Sequence, residues 1–228
     1  HQGEQYLVTD LDLVAHTATA HPTDVDYYTQ TKEIEDLRII KEMQSRQAGP
    51  VTVHLGEVEV TNHVVGFKKK AQFTERVISE EPLSLPPQTF PTVALWFDLP
   101  VDASNKIVDL QLDYPGGLHA TEHAAIGILP LIALCDRNDI GGVSHPSHPD
   151  TEGCAAIFIY DGHAGGVGIA RTAYEHVDEL LKAVLRTVED CSCDDGCPGC
   201  VQSPKCGNNN EPLDKKAAII ILEELLGK

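Results

Sequence analysis

The chain has 228 residues, 42% of them apolar, and sets 17 Lys and Arg against 35 Asp and Glu for a formal net charge of -18. That length and apolar share support one large domain or two small ones with a conventional core, and exclude a wholly disordered chain. So acidic a chain repels phosphate at long range, which makes it a poor candidate for an autonomous nucleic-acid binder but leaves room for a local contact beside a neighbouring domain.

The chain starts at His1 with nothing before Tyr6 that reads as a leader, and its longest apolar run, residues 124–135, is too short for a bilayer and contains Pro130. We expect part of a longer polypeptide. Seven cysteines, five of them within residues 191–206, do not make a disulfide framework, so the expected location is cytoplasmic and reducing.

In chain order, VTVHLGEVEV (51–60) alternates apolar and polar residues, and TVALWFDLP (92–100) is β-branched and aromatic and closed by proline; both read as strands. Between them SEEPLSLPPQTFP holds four prolines and reads as an extended surface connector. Residues 119–135 predict a buried helix kinked near Pro130, and RNDIGGVSHPSHPDTEG predicts a loop. CAAIFIYD (154–161) suits a buried strand. A helix follows with Ala173, Val177, Leu180, Leu181, Val184 and Val188 on one face. The last helix is framed by Asp214 as N-cap and Gly227 as C-terminal stop. The fold class expected is α+β, with a β-rich N-terminal half (1–114) and a helical C-terminal half (115–228) that carries a four-cysteine zinc knuckle at 191–206.

CSCDDGCPGCVQSPKC (191–206) is the strongest chemical signal. Cys197 and Cys200 form a CxxC turn tightened by Pro198 and Gly199, and Cys206 lies close enough to return to the same centre. The fourth thiolate is Cys191 or Cys193, and spacing does not choose between them. Four thiolates in tetrahedral array suit structural zinc, one ion per chain. A thioredoxin-like pair or an iron-sulfur cluster are the competing readings.

His119, Glu122 and His123 spell HATEH, an HxxEH string that supplies two ligands and a base in inverted zinc peptidases. No third ligand is evident in the sequence, so buried polar residues bonding within the fold are the main expectation and an independent metalloenzyme is the alternative. Gly162, Gly165, Gly166 and Gly168, between strand and helix, suit either a phosphate contact or a tight packing turn, with Asp161 as metal ligand or cap. His145 and His148, each beside a proline, read as an extended surface loop. Lys68, Lys69 and Lys70 read as a solvated strand end, and no ATP-hydrolysis motif is present.

HATEHAAIGILPLIALCDRNDIGG, IFIYDGHAGGVGIARTAYE and CSCDDGCPGCVQSPKCGNNNEPLDKKAA, in that order, resemble the MZB, or Mrf zinc-binding, domain at the C-terminus of Mrf-type superfamily-two DNA helicases, a RecQ-related group. The resemblance is specific over residues 115–226 and weaker in KEIEDLRI and VTNHVVGFKKK. It implies a piece of an ATP-dependent DNA repair helicase that moves 3'-to-5' on single strands, its ATP- and Mg2+-dependent motor domains lying in cis outside this chain. It also implies zinc on Cys197, Cys200, Cys206 and one or both of Cys191 and Cys193, with no catalytic residue here. The implied partners are the motor domains and single-stranded or forked DNA, held weakly by this chain alone.

Overall fold

The computed structural model describes residues 2–74, 76–99 and 101–228, without the side chains of residues 101 and 102. Strands are β1 (Tyr6–Asp12), β2 (Thr17–Pro22), β3 (Tyr27–Ala48), β4 (Val51–Ala71), β5 (Val77–Pro82), β6 (Gln88–Asp98), β7 (Ile140–His145) and β8 (Ala156–Asp161). Helices are α1 (Val101–Asp109), α2 (Tyr114–Ile128), α3 (Pro130–Ala133), α4 (Ile169–Glu175), α5 (Val177–Asp190) and α6 (Lys215–Leu226). A β-rich N-terminal half and a helical C-terminal half are both present. Among the described residues no helix is long and apolar enough to cross a membrane.

Packing groups the residues differently from a division in chain order at residue 114. One compact unit is His1–Lys32 with Val64–Leu85, the other Glu33–His63 with Pro86–Lys228, because the long strands β3 and β4 contribute to both. In the first unit β1 and β2 form an antiparallel hairpin, and β5 pairs antiparallel with the end of β4. That pairing puts Lys68 opposite Glu80 and brings Lys69 Nζ to 2.6 Å from Glu81 Oε1. The basic run is therefore matched by the acidic residues of the strand beside it, and Lys70 is buried.

In the second unit the strand order is β3-β4-β6-β8-β7. Val51, Val53 and Leu55 of β4, Leu95 and Phe97 of β6, and Ile157 and Ile159 of β8 share one face and pack with residues of α2, α5 and α6. Val58, Val60, Ala94, Trp96, Phe158 and Tyr160 form a second cluster with Leu37. Each fully buried large side chain of this kind contributes about 1.5–3 kcal/mol of transfer free energy, so this double-sided burial is what holds the sheet.

Four expectations need correction. The proline-rich stretch is not all connector: Pro82 ends β5 and Pro91 lies inside β6. Pro91 is tolerated because it pairs only with Glu59 of β4, the pairing with β8 starting at Ala94, so no ladder donor is missed on that side. Pro100, expected to close this strand, lies outside the described residues. The stretch read as a loop after residue 136 contains β7. Its glycines serve packing: a Cβ on Gly141 would meet the Tyr160 ring at 2.1 Å, and one on Gly142 would meet Ile126 Cδ1 at 2.7 Å and Glu122 Cγ at 2.9 Å. With Gly141 and Gly142 between them, Ile140 and Val143 leave only a diluted β-branched signature in this strand.

The helix expected through residues 173–188 is two helices that meet at His176, although all six residues assigned to its inner face are buried. The loop holding His148 is not a surface loop at that position. His148 is 1% exposed, with Nε2–H donating to Leu37 O and Nδ1 accepting from the Asp150 amide.

Both ends of α6 and the break at Pro130 follow the sequence, whereas α2 begins at Tyr114, ahead of the expected start at His119. Asp214 accepts the Ala217 amide and Gly227 closes α6 in the left-handed region at φ 69°. Asp113 caps α2 through the Gly116 amide, and Pro130, which has no N–H to return, separates α2 from α3.

Candidate metal centre

The cysteine segment leaves the end of α5 and turns back before α6. Four sulfurs converge: Cys191 Sγ is 3.6 Å from Cys193 and 3.5 Å from Cys197, Cys193 is 3.5 Å from Cys200, and Cys197 is 3.8 Å from Cys200. At a Zn–S distance of about 2.3 Å, tetrahedral sulfurs stand about 3.8 Å apart, so these thiols already lie along the edges of a zinc tetrahedron. None is at disulfide distance. The Cys197 amide donates to Cys200 Sγ at 3.3 Å. A hydrogen bond from the Cys193 backbone, with help from the Cys197 thiol, lowers Cys191 to about 7, whereas burial pushes Cys200 up to about 12. The donor chemistry and spacing fit zinc, which binds thiolates and displaces their protons.

Cys206 is not brought to this set. Its Sγ lies 3.5 Å from His119 Nε2, and ligand atoms of His119, His123 and Cys206 fall within 4.8 Å of one another. The two histidines are one turn apart on α2, ring centroids 4.1 Å apart. Against burial, the neighbouring His123 imidazole and the Asn210 amide hold the Cys206 thiol below its ordinary range. Sequence reasoning found no third partner for the histidines, since Cys206 sits 87 residues beyond His119 and its spacing had assigned it to the thiolates.

Glu122 turns toward β7, where its Oε2 accepts the Ser144 hydroxyl at 2.7 Å, and burial pushes its carboxyl up to about 7. His119, Glu122, His123 and Cys206 border one cleft of about 610 Å³, shared with Glu35 and Lys205.

The glycine loop has a definite occupant. Asp161, fully buried, accepts the amides of Val167 at 2.5 Å, Gly168 at 2.7 Å and Ala170 at 2.6 Å. It caps the turn and takes the amides that a phosphate would need.

The family model described as the MrfA Zn-binding domain matches residues 121–201. An uncharacterized protein of Methanocaldococcus jannaschii, MJ1572.1, is 46% identical over 111 residues, which are 99% of its length and 48% of this chain. The chain belongs to the MrfA Zn-binding domain family. This MZB chain is also 30% identical to the ATP-dependent helicase HRQ1 of Saccharomyces cerevisiae, over 100% of the chain and 22% of the helicase. Among solved structures, the DUF1998 helicase MrfA bound to DNA matches with TM-score 0.63 and 26% identity, over 99% of this chain and 29% of that one. The MZB chain thus spans less than a third of the length of these helicases.

Proposed function

We propose that the chain is the zinc-binding accessory domain of an ATP-dependent DNA helicase, with one zinc ion held by Cys191, Cys193, Cys197 and Cys200. The motor domains, with their ATP and Mg2+, lie in cis. The observation that carries this reading is the alignment of the whole chain with HRQ1, together with its likeness to a DNA-bound helicase. The reading extends to 3'-to-5' movement on single strands, to DNA repair and to the cytoplasm, as the family resemblance implies.

The domain's part is to shape the DNA path or brace the motor rather than to grip DNA. Its net charge of -18 opposes phosphate, Lys68 and Lys69 are engaged with Glu80 and Glu81, and the amides of Gly165, Gly166 and Gly168 are taken by Pro91 O, His163 O and the Asp161 carboxylate. Contacts too weak alone act at high effective concentration once a motor holds the strand.

The test compares strand separation and single-strand binding by the parent helicase, intact and with Cys197→Ser and Cys200→Ser. Unwinding is expected to fall while strand binding by the motor persists. Undiminished unwinding would refute the role, and submicromolar single-strand binding by this chain alone at physiological salt would refute the bracing mode.

A further inference from the structure

We propose that His119, His123 and Cys206 form a second zinc site, separate from the four-cysteine set, with a fourth position bordering the cleft and filled by water. Sequence spacing counted a single ion per chain because it placed Cys206 with the other thiols. The fold separates them.

The imidazoles are oriented as metal ligands are. His119 Nδ1 lies 2.9 Å from Pro212 O and His123 Nδ1 lies 3.0 Å from Val201 O. A carbonyl only accepts, so each Nδ1 carries the proton and each Nε2 is left with a bare lone pair. Anchoring one ring nitrogen on a backbone carbonyl while the other ligates is the usual outer-shell arrangement of metal-bound histidine. The distance agrees: with Zn–N near 2.05 Å and Zn–S near 2.3 Å, tetrahedral nitrogen and sulfur stand about 3.6 Å apart. His119 Nε2 and Cys206 Sγ are 3.5 Å apart.

Cys206 is prepared in the same sense, since its sulfur accepts the Asn210 amide at 3.3 Å. Two imidazoles and one thiolate are borderline-soft donors suited to zinc, and three protein ligands leave one position for an exchangeable group. Because all three residues line the cleft, an ion held among them borders its solvent, beside Glu122 and Ser144. The carbonyl that orients His123 belongs to Val201, the residue after Cys200, so the knuckle positions the second site.

The experiment loads the 228-residue chain with excess zinc, removes free metal and measures zinc per chain. It then repeats the loading with cobalt to read thiolate-to-metal absorbance. Wild type is expected to hold two equivalents, and Cys206→Ser and His119→Ala one each, with the cobalt spectrum of the four-thiolate site retained. The second cobalt equivalent added to wild type should bring the absorbance of one thiolate ligand, not four. A wild type that holds one equivalent under excess zinc overturns the proposal, whatever the variants do. So does a second equivalent that survives in the His119→Ala, Cys206→Ser double variant. Loss of metal from the four-cysteine set would show in the first cobalt equivalent, so failure of that reading is distinguishable.

Discussion

Lys215, the first residue of α6, donates from Nζ to the carbonyls of Cys191 at 2.6 Å and Cys193 at 2.7 Å. Lys215 is buried, at 7% exposure, and its ammonium ties the start of one helix to the chain leaving another. Its removal leaves two carbonyls in part-buried surroundings without their donor. Lys215→Met should therefore cost about 2–3 kcal/mol, given 1.5–3 kcal/mol for hydrogen bonds to charged groups. Urea unfolding checks this, and the variant should also release zinc to a chelator faster than wild type.

The thiol geometry distinguishes among the cysteines. Cys191→Ser and Cys193→Ser should each abolish zinc binding at the four-cysteine set, as should Cys197→Ser and Cys200→Ser, because each supplies one corner. Zinc content of the purified variants decides it. Retention by either Cys191→Ser or Cys193→Ser would mean that only three of these sulfurs bind, and would return Cys206 to the set.

Asp161→Asn keeps the shape of the side chain but replaces one acceptor oxygen by an amide that faces backbone N–H groups. With three amides served by one buried carboxylate, the loss should be about 3 kcal/mol, the upper end for an unsatisfied buried group. Thermal unfolding reads it directly. The same variant should leave zinc content unchanged.

His54 makes stability depend on pH. Its Nε2 meets Asp98 Oδ2 at 3.0 Å and its Nδ1 meets Glu42 Oε2 at 2.7 Å. The bond to Asp98, opposed by partial burial and helped by Glu42, raises its pKa above 6.5. A raised value means the stabilisation is complete below pH 6.5 and is lost as pH climbs through the folded-state value. The unfolding midpoint should thus fall from pH 6 toward pH 8, and His54→Gln should flatten that slope. Trp96, the chain's single tryptophan, stacks on the His54 ring at 5.2 Å, so its fluorescence follows the same titration.

What could be read from the sequence was what depends on neighbours in the chain. Asp214 and Gly227 frame α6 because caps act within a turn or two, and the CxxC at Cys197 and Cys200 declares itself for the same reason. β7 was hidden because Gly141 and Gly142 answer to Tyr160 and α2, residues the local pattern does not contain. The break at His176 was hidden because the apolar period runs across it unaltered. His119 and His123 could be seen as a pair. Their third partner depends on a loop that folds back over α2, and no periodicity records that.

The distance along the chain between His119 and Cys206 sets an order of assembly. The four thiols lie within ten residues, so an ion can gather them in a chain that has made few other contacts. Joining His119 to Cys206 closes a loop roughly ten times longer, which costs about 2 kcal/mol more in chain entropy before any bond repays it. Zinc should therefore meet the local cluster early in refolding and the distant pair only after α2 and α6 have docked. Stopped-flow cobalt absorbance during refolding separates the two events, and simultaneous capture would contradict the order. The first ion acts as a nucleus for the fold, the second as a latch on it.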